Sequence, residues 1–326
     1  MRQGVIDWER RWAPLVALAA LLTVILLIAS SATSQVSGDG AAEVLRSVDE
    51  HHGSVALSGI MQAVGFLLLI APLFYLFRAA RARSERVRPQ LVGLILAAPL
   101  FLAVSSGLTV GARTEAADQF VAGEAKSTLS PKQAREKCES DRKDEGAKEF
   151  AAEFEPRAGE TALAACERRK TADEEAENAI GEASLAPLVS GLGLAGGLAF
   201  VVAFFYTCLW AMRTGLLSRL WGSLGMAAGI AFLLGPLFVI ALVWLVYFAF
   251  MAIGKVPGGR PPGWDAGEAV PWPTPGERAA AELEASDGAE ESVAAPQAGR
   301  AEAPPSAEDA AEGSDQPERR KRKRRE

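Results

Sequence analysis

The amino-acid sequence predicts an all-α fold, a polytopic transmembrane helix bundle that carries an extracytoplasmic charged helical hairpin and a disordered C-terminal tail. Three observations predict it. Apolar and charged residues are segregated into blocks, although the chain as a whole is 49% hydrophobic and 23% charged, with a mean hydropathy of only +0.13. Several blocks run for more than about 18 residues without a charge, the length a helix needs to cross roughly 30 Å of hydrocarbon. Lys and Arg alternate between the short connections as the positive-inside rule requires. The polar parts are rich in Ala and poor in aromatics, so they have little from which to build a large core. The formal charge of −6 sums over opposite sides of a membrane and identifies no partner.

The first span covers 13–32 (APLVALAALLTVILLIASSA). Arg10 and Arg11 before it also fit a secretory signal and, faintly, a twin-arginine signal. An apolar run of about 20 residues exceeds the roughly 7–15 of a signal peptide and favours an uncleaved anchor. Further spans lie at 55–77 and 91–112, completing a first membrane region within 1–112, and at 185–212. The block Leu220–Gly254 would be about 50 Å long as one helix, too long for the bilayer core. Gly235–Pro236 is a breaker inside it, so spans at 216–234 and 236–253 are expected. That makes six spans, or five if the block crosses once, with 185–254 as the second membrane region.

Arg2, Arg10 and Arg11, then Arg78, Arg81, Arg83, Arg86 and Arg88, then Arg213 and Arg219, mark three cytoplasmic connections. The first loop carries only Arg46 among Asp39, Glu43, Asp49 and Glu50. Six spans return the chain to the cytoplasm, in keeping with Lys255 and Arg260. The expectation is a plasma-membrane protein in the lipid bilayer with both termini cytoplasmic.

Residues 113–184 then lie outside. Helix starts at Ser130–Pro131 and Thr161, with breakers at Pro156 and Gly159, predict two charged helices joined by a turn. Cys138 and Cys166 fall one in each arm. An oxidising exterior favours a disulfide between them, against two free thiols in a cytoplasmic loop. Closing a loop of about 28 residues would add roughly 3–4 kcal/mol. From 255 to 326 the chain turns to Pro, Gly, Ala, Glu and Ser, a composition that cannot offset its ordering entropy. It ends in Arg319, Arg320, Lys321, Arg322, Lys323, Arg324 and Arg325, a cluster suited to anionic lipid headgroups at about 1 kcal/mol per residue. A flexible tether of about 70 residues has an excursion of about 45 Å, which keeps that block within reach of the inner leaflet. No specific nucleic acid is expected as a partner; protein partners are expected but not identified.

Gly191–Gly196 (GLGLAG) matches a dinucleotide fingerprint letter for letter, but it lies in an apolar span with no strand before it. Gly107/Gly111, Gly193/Gly197 and Gly225/Gly229 have the spacing of close helix–helix contacts and are expected to pack the bundle. His51 and His52 follow Asp49 and Glu50, four potential metal ligands in a row. Neighbouring helical residues point about 100° apart, so a polar helix start is the expected reading and no metal site is assigned. No Asp, Glu, Lys or Arg lies in the middle of a span, which counts against a proton-coupled transporter. Gln62, Ser105, Ser106, Thr109 and Thr207 are the residues from which a pore would have to be built, and Cys208 reads as a buried thiol. No nucleophile elbow, phosphate loop, paired catalytic carboxylates or zinc spacing occurs, so neither an enzyme nor a cofactor is expected.

The spans, followed by Gly258–Pro273 (GGRPPGWDAGEAVPWP), resemble multi-pass integral membrane proteins of GC-rich, actinobacterial-type bacteria, a family of uncharacterised function. The resemblance covers the spans and the start of the tail, and implies an inner-membrane location. The expected role is non-enzymatic, an interaction or envelope-associated protein, with a small-solute transporter or channel as the alternative.

Overall fold

Residues 2–34, 36, 38–154, 156–233, 238–257, 259–272 and 276–277 are described by the computed structural model. The basic block at 319–325 lies outside the described residues. The chain divides into two units, Met1–Trp272 and Pro273–Glu326. The described residues of the first unit form α-helices with short 3-10 turns and no strand.

The helices are α1 (Arg2–Thr33), α2 (Ala41–Glu50), α3 (His52–Leu68), α4 (Ile70–Arg83), α5 (Val92–Val121), α6 (Pro131–Glu145), α7 (Ala147–Glu153), α8 (Ala162–Glu182), α9 (Ala186–Arg213), α10 (Arg219–Ala231), α11 (Val239–Ala252) and α12 (Pro262–Ala266). Four stretches are long and apolar enough to cross a membrane: Gln3–Thr33, His52–Arg83, Pro89–Val121 and Ala186–Arg213. The chain is thus an all-helical polytopic membrane protein.

The second of these is α3 and α4 in series, with a break at Leu69. Pro72 has no N–H for the Leu68 carbonyl, four residues back, so the helix bends there. The bend matters for packing. Beyond it, α4 becomes the centre of one end of the bundle, burying Leu73, Tyr75, Leu76, Phe77, Ala79 and Ala80 against α1, α5 and α9. Before it, α3 lies between α1 and α5 with Leu57, Ile60, Val64 and Leu67 exposed on one side. We call the end that holds the start of α1 and the end of α4 the proximal end.

Helices α10 and α11 fold back on each other as a hairpin between α9 and α1. Trp221 stacks on Tyr247 with ring centroids 3.5 Å apart, and the Trp244 indole N–H donates to the Trp221 carbonyl. The hairpin starts, with α10, and finishes, with α11, at the proximal end. The hairpin turns midway along the bundle: Phe232 packs on Phe66 and Phe200, and the Gly197 backbone lies against Leu233. At 1.5 Å per residue the 13 and 14 residues of its helices reach about 20 Å, short of the roughly 30 Å that the expected crossings at 216–234 and 236–253 require. The breaker Gly235–Pro236 lies outside the described residues.

At the distal end α5 continues to Val121, nine residues beyond the expected end of the third span. Ala112, Ala116 and Ala117 on this extension pack against Ala42, Leu45 and Val48 of α2 and Ala176 and Ala179 of α8. The expected two-armed hairpin is therefore a cap of five helical pieces, α2, the end of α5, α6, α7 and α8. The first arm is split at Gly146, whose φ of +86° suits glycine.

Candidate functional site

Two assemblies of polar side chains stand out, one at each end.

At the distal end, both expected helix starts are present. Ser130 and Gln133 form a reciprocal capping box, with the Gln133 N–H donating to Ser130 Oγ at 3.3 Å and the Ser130 N–H donating to Gln133 Oε1 at 3.0 Å. Thr161 Oγ1 accepts from the Ala164 N–H. Cys138 and Cys166 are joined as a disulfide, with Cα atoms 6.0 Å apart, and they pack with Phe150, Phe154 and Ala165 in a core of their own. Carboxylates tie the cap together. Asp173 accepts from the Ala42 N–H at the start of α2, Glu174 accepts from Ser127, Thr128 and the Leu129 N–H, and Glu115 accepts from both the hydroxyl and the N–H of Ser184. Arg168 makes two hydrogen bonds to Glu160, both 3.1 Å. This bonding holds the Glu160 carboxyl below the usual carboxylate range, and the hydroxyls of Ser127 and Thr128 do the same for Glu174. Their folded pKa values are depressed, so the stabilisation they give is complete above the unfolded value of about 4.3 and is lost as pH falls through the folded values.

Between α2, α7 and α8 lies a cleft of about 600 Å³. Arg46, Arg157, Arg168 and Arg169 line it together with Asp39, Glu43, Glu153 and Asp173. Arg169 stands over the Phe154 ring and Arg46 over Phe120, which fixes two of the four cations. The arrangement offers charge of both signs along one wall.

Near the cap, Asp49, His52 and Asp118 bring one ligand atom each within 4.8 Å of the others. His51 turns instead to the Ser47 carbonyl. Two of the three residues are exposed, and the His52–Asp49 contact is 3.3 Å with both side chains well solvated.

At the proximal end sits an assembly that charge patterning along the chain does not reveal. Arg83 is fully buried beside Glu9, which is 2% exposed. All five guanidinium N–H groups are used: Nη1 donates to Glu9 Oε1 and the Ala79 carbonyl, Nη2 to Glu9 Oε2 and the Trp264 carbonyl, and Nε to the Gly263 carbonyl at 2.7 Å. The Tyr75 hydroxyl donates to the Glu9 carbonyl, and Tyr75 is stacked between Trp8 and Trp264.

The two carbonyls from 263 and 264 belong to a stretch that composition places in the disordered tail. The described residues of 259–272 are instead folded as a strap under the α9–α10 turn. The Gly263 N–H donates to the Gly215 carbonyl, the Val270 N–H to the Thr214 carbonyl, the Trp264 indole to Leu216 and the Trp272 indole to Leu217. Gly215 has φ +75°, and a Cβ there would lie 2.0 Å from the Val270 carbonyl oxygen. Only glycine fits. The folded chain therefore continues past 255 to Trp272.

The six packing glycines divide. Gly193 faces Ser105, Gly197 faces Leu233, Gly111 faces Leu185, Gly225 lies against Cys208 and Trp244, and Gly229 against Phe204. Gly107 meets nothing within 4 Å, so the expected contact there is absent among the described residues. Gly59 and Gly196, which carry no such spacing, also make close approaches, to Val110 and to the Leu102 backbone. Of the pore candidates, Ser105 donates to the Val189 carbonyl and Ser106, Thr109 and Thr207 to carbonyls of their own helices. Gln62 alone of the five is exposed.

No family model, no curated protein and no solved structure matches the chain. Fold and sites define the class, a polytopic all-α membrane protein with a disulfide-pinned helical cap.

Proposed function

We propose that this protein is a non-enzymatic membrane anchor that presents its distal cap to a partner in the cell envelope. The observation that carries this reading is the rigid joint between bundle and cap. Helix α5 runs unbroken from one into the other, and Glu115 clamps Ser184 at the turn between α8 and α9. A rigid joint suits a display element, where the geometry of the presented surface must be kept. The Arg-lined cleft is the partner surface.

The finer topology follows from the same frame. Four helices cross the plasma membrane, and α10–α11 is a re-entrant hairpin that enters and leaves by the cytoplasmic face. Both termini and the basic block are cytoplasmic, and the cap is outside, where an oxidising compartment maintains Cys138–Cys166. Small-solute passage, the alternative, rests on Gln62 alone, since the other four candidates satisfy backbone carbonyls.

The test is in-cell photo-crosslinking from positions 157 and 43, on the rim of the cleft, with 126 as a control away from it. A discrete adduct from the first two that disappears in an Arg168→Glu/Arg169→Glu variant is the expected result. Equal, diffuse crosslinking from all three positions overturns the reading.

A further inference from the structure

We propose that the groove between α1 and α4 at the proximal end binds one anionic phospholipid. Trp8, Trp12 and Val16 of α1 face Ala71, Phe74 and Arg78 of α4 across a cavity of about 180 Å³. Both sets have helical spacing, so the groove is the meeting of two continuous seams rather than a chance gap between loops. Its walls are aromatic and aliphatic; its mouth is cationic.

Charge decides the occupant. The Arg78 guanidinium lies 4.2 Å from the centroid of the Trp8 ring, which holds it over the groove. It is exposed, and among the described residues no carboxylate pairs with it. Glu9, next to Trp8 in the chain, is turned inward and consumed by Arg83. Arg11 and Arg81, each three residues along from Trp8 and Arg78, are exposed and add positive charge, while Asp7 is the exposed acid of the same turn. Arg78 and Arg83 thus split two tasks along one helix: the buried one closes the fold, and the exposed one keeps N–H groups free for a ligand. A guanidinium presents a planar fork that matches a phosphate. Tryptophans gather at the membrane–water boundary, and basic pockets between spans at that depth receive anionic headgroups. The apolar groove takes the first part of an acyl chain and Arg78 takes the phosphate.

The site is distinct from the basic block at 319–325, and the experiment separates them. Full-length protein in detergent is titrated with phosphatidylglycerol or phosphatidylcholine of the same acyl chains, and adducts are counted by native mass spectrometry. The expected result is one retained phosphatidylglycerol, preferred at least fivefold over phosphatidylcholine. Arg78→Gln abolishes the preference and Trp8→Leu weakens retention, whereas replacing all seven residues of the basic block by glutamine leaves the single adduct in place. Arg78 is exposed, so its variant keeps the unliganded melting temperature, which guards against misfolding. Preference unchanged in Arg78→Gln, or lost with the neutralised block alone, overturns the proposal.

Discussion

Glu9 and Arg83 illustrate how a charged pair can sit in an apolar bundle. Their desolvation is offset because every guanidinium N–H finds an acceptor, one carboxylate and three backbone carbonyls. Removing one partner leaves the other buried and unpaired. Arg83→Met and Glu9→Leu should therefore each cost about 3–5 kcal/mol, while the double variant should cost much less than their sum. Thermal or denaturant unfolding in micelles measures all four corners of the cycle, and additive losses would contradict the assignment. The pair is not legible in the sequence because Arg83 is one of five arginines that a topology rule counts alike. The available signal is its face: Tyr75, Ala79 and Arg83 recur every four residues, and Ala79 beside Ala80 marks a close contact. Among glycines the spacing rule is equally blind to direction. Gly225→Ala should destabilise by about 1–3 kcal/mol, since its Cβ would lie 2.5 Å from Cys208 Sγ. Gly107→Ala should be neutral or slightly stabilising by the same unfolding assay, since nothing lies within 4 Å.

Helices of the right length in the right order are the legible part at the scale of elements. Charge-free runs of 20 residues identify the long helices, and the capping residues Ser130 and Thr161 fix two starts in the cap. Hydropathy cannot say how deep a helix reaches, because the hydrocarbon interior and a protein interior are equally apolar. That is why hydropathy alone does not separate two crossings from the re-entrant hairpin proposed above for α10–α11. Its depth is set by packing: Phe232 lodges between Phe66 and Phe200, and at that level Gln62, one turn from Phe66 on the same side of α3, is exposed. A cysteine at Leu233, near the tip, in a Cys208→Ser background should resist impermeant thiol reagents from either face of the membrane and react with a lipid-soluble one. Reaction with an impermeant reagent from the outer face would mean that the hairpin crosses. The strap escapes for a different reason. Gly, Pro and acidic residues dominate 258–270, and composition gives no weight to three details that dock it: two indole N–H groups and a glycine pair that lets two backbones touch.

Across the whole molecule, the described polar residues of 113–184 are not a loose excursion but a cap built on the continuation of α5, with α6, α7 and α8 and with α2 added. Segregation of charge predicts where this cap begins in the chain, yet not that α5 carries it, because Arg113, Glu115 and Asp118 end an apolar run without ending a helix. The placement of cap and strap at opposite ends is geometric; which end faces the cytoplasm is the claim on which the proposed role depends. The most direct test is labelling of Cys138 and Cys166 with an impermeant maleimide in intact cells, with and without prior reduction, Cys208 being replaced by serine. Labelling of intact cells only after reduction is the predicted result, placing the bonded cap outside. Labelling only after lysis, without any need for reduction, would put the cap in the cytoplasm and contradict the proposed display role.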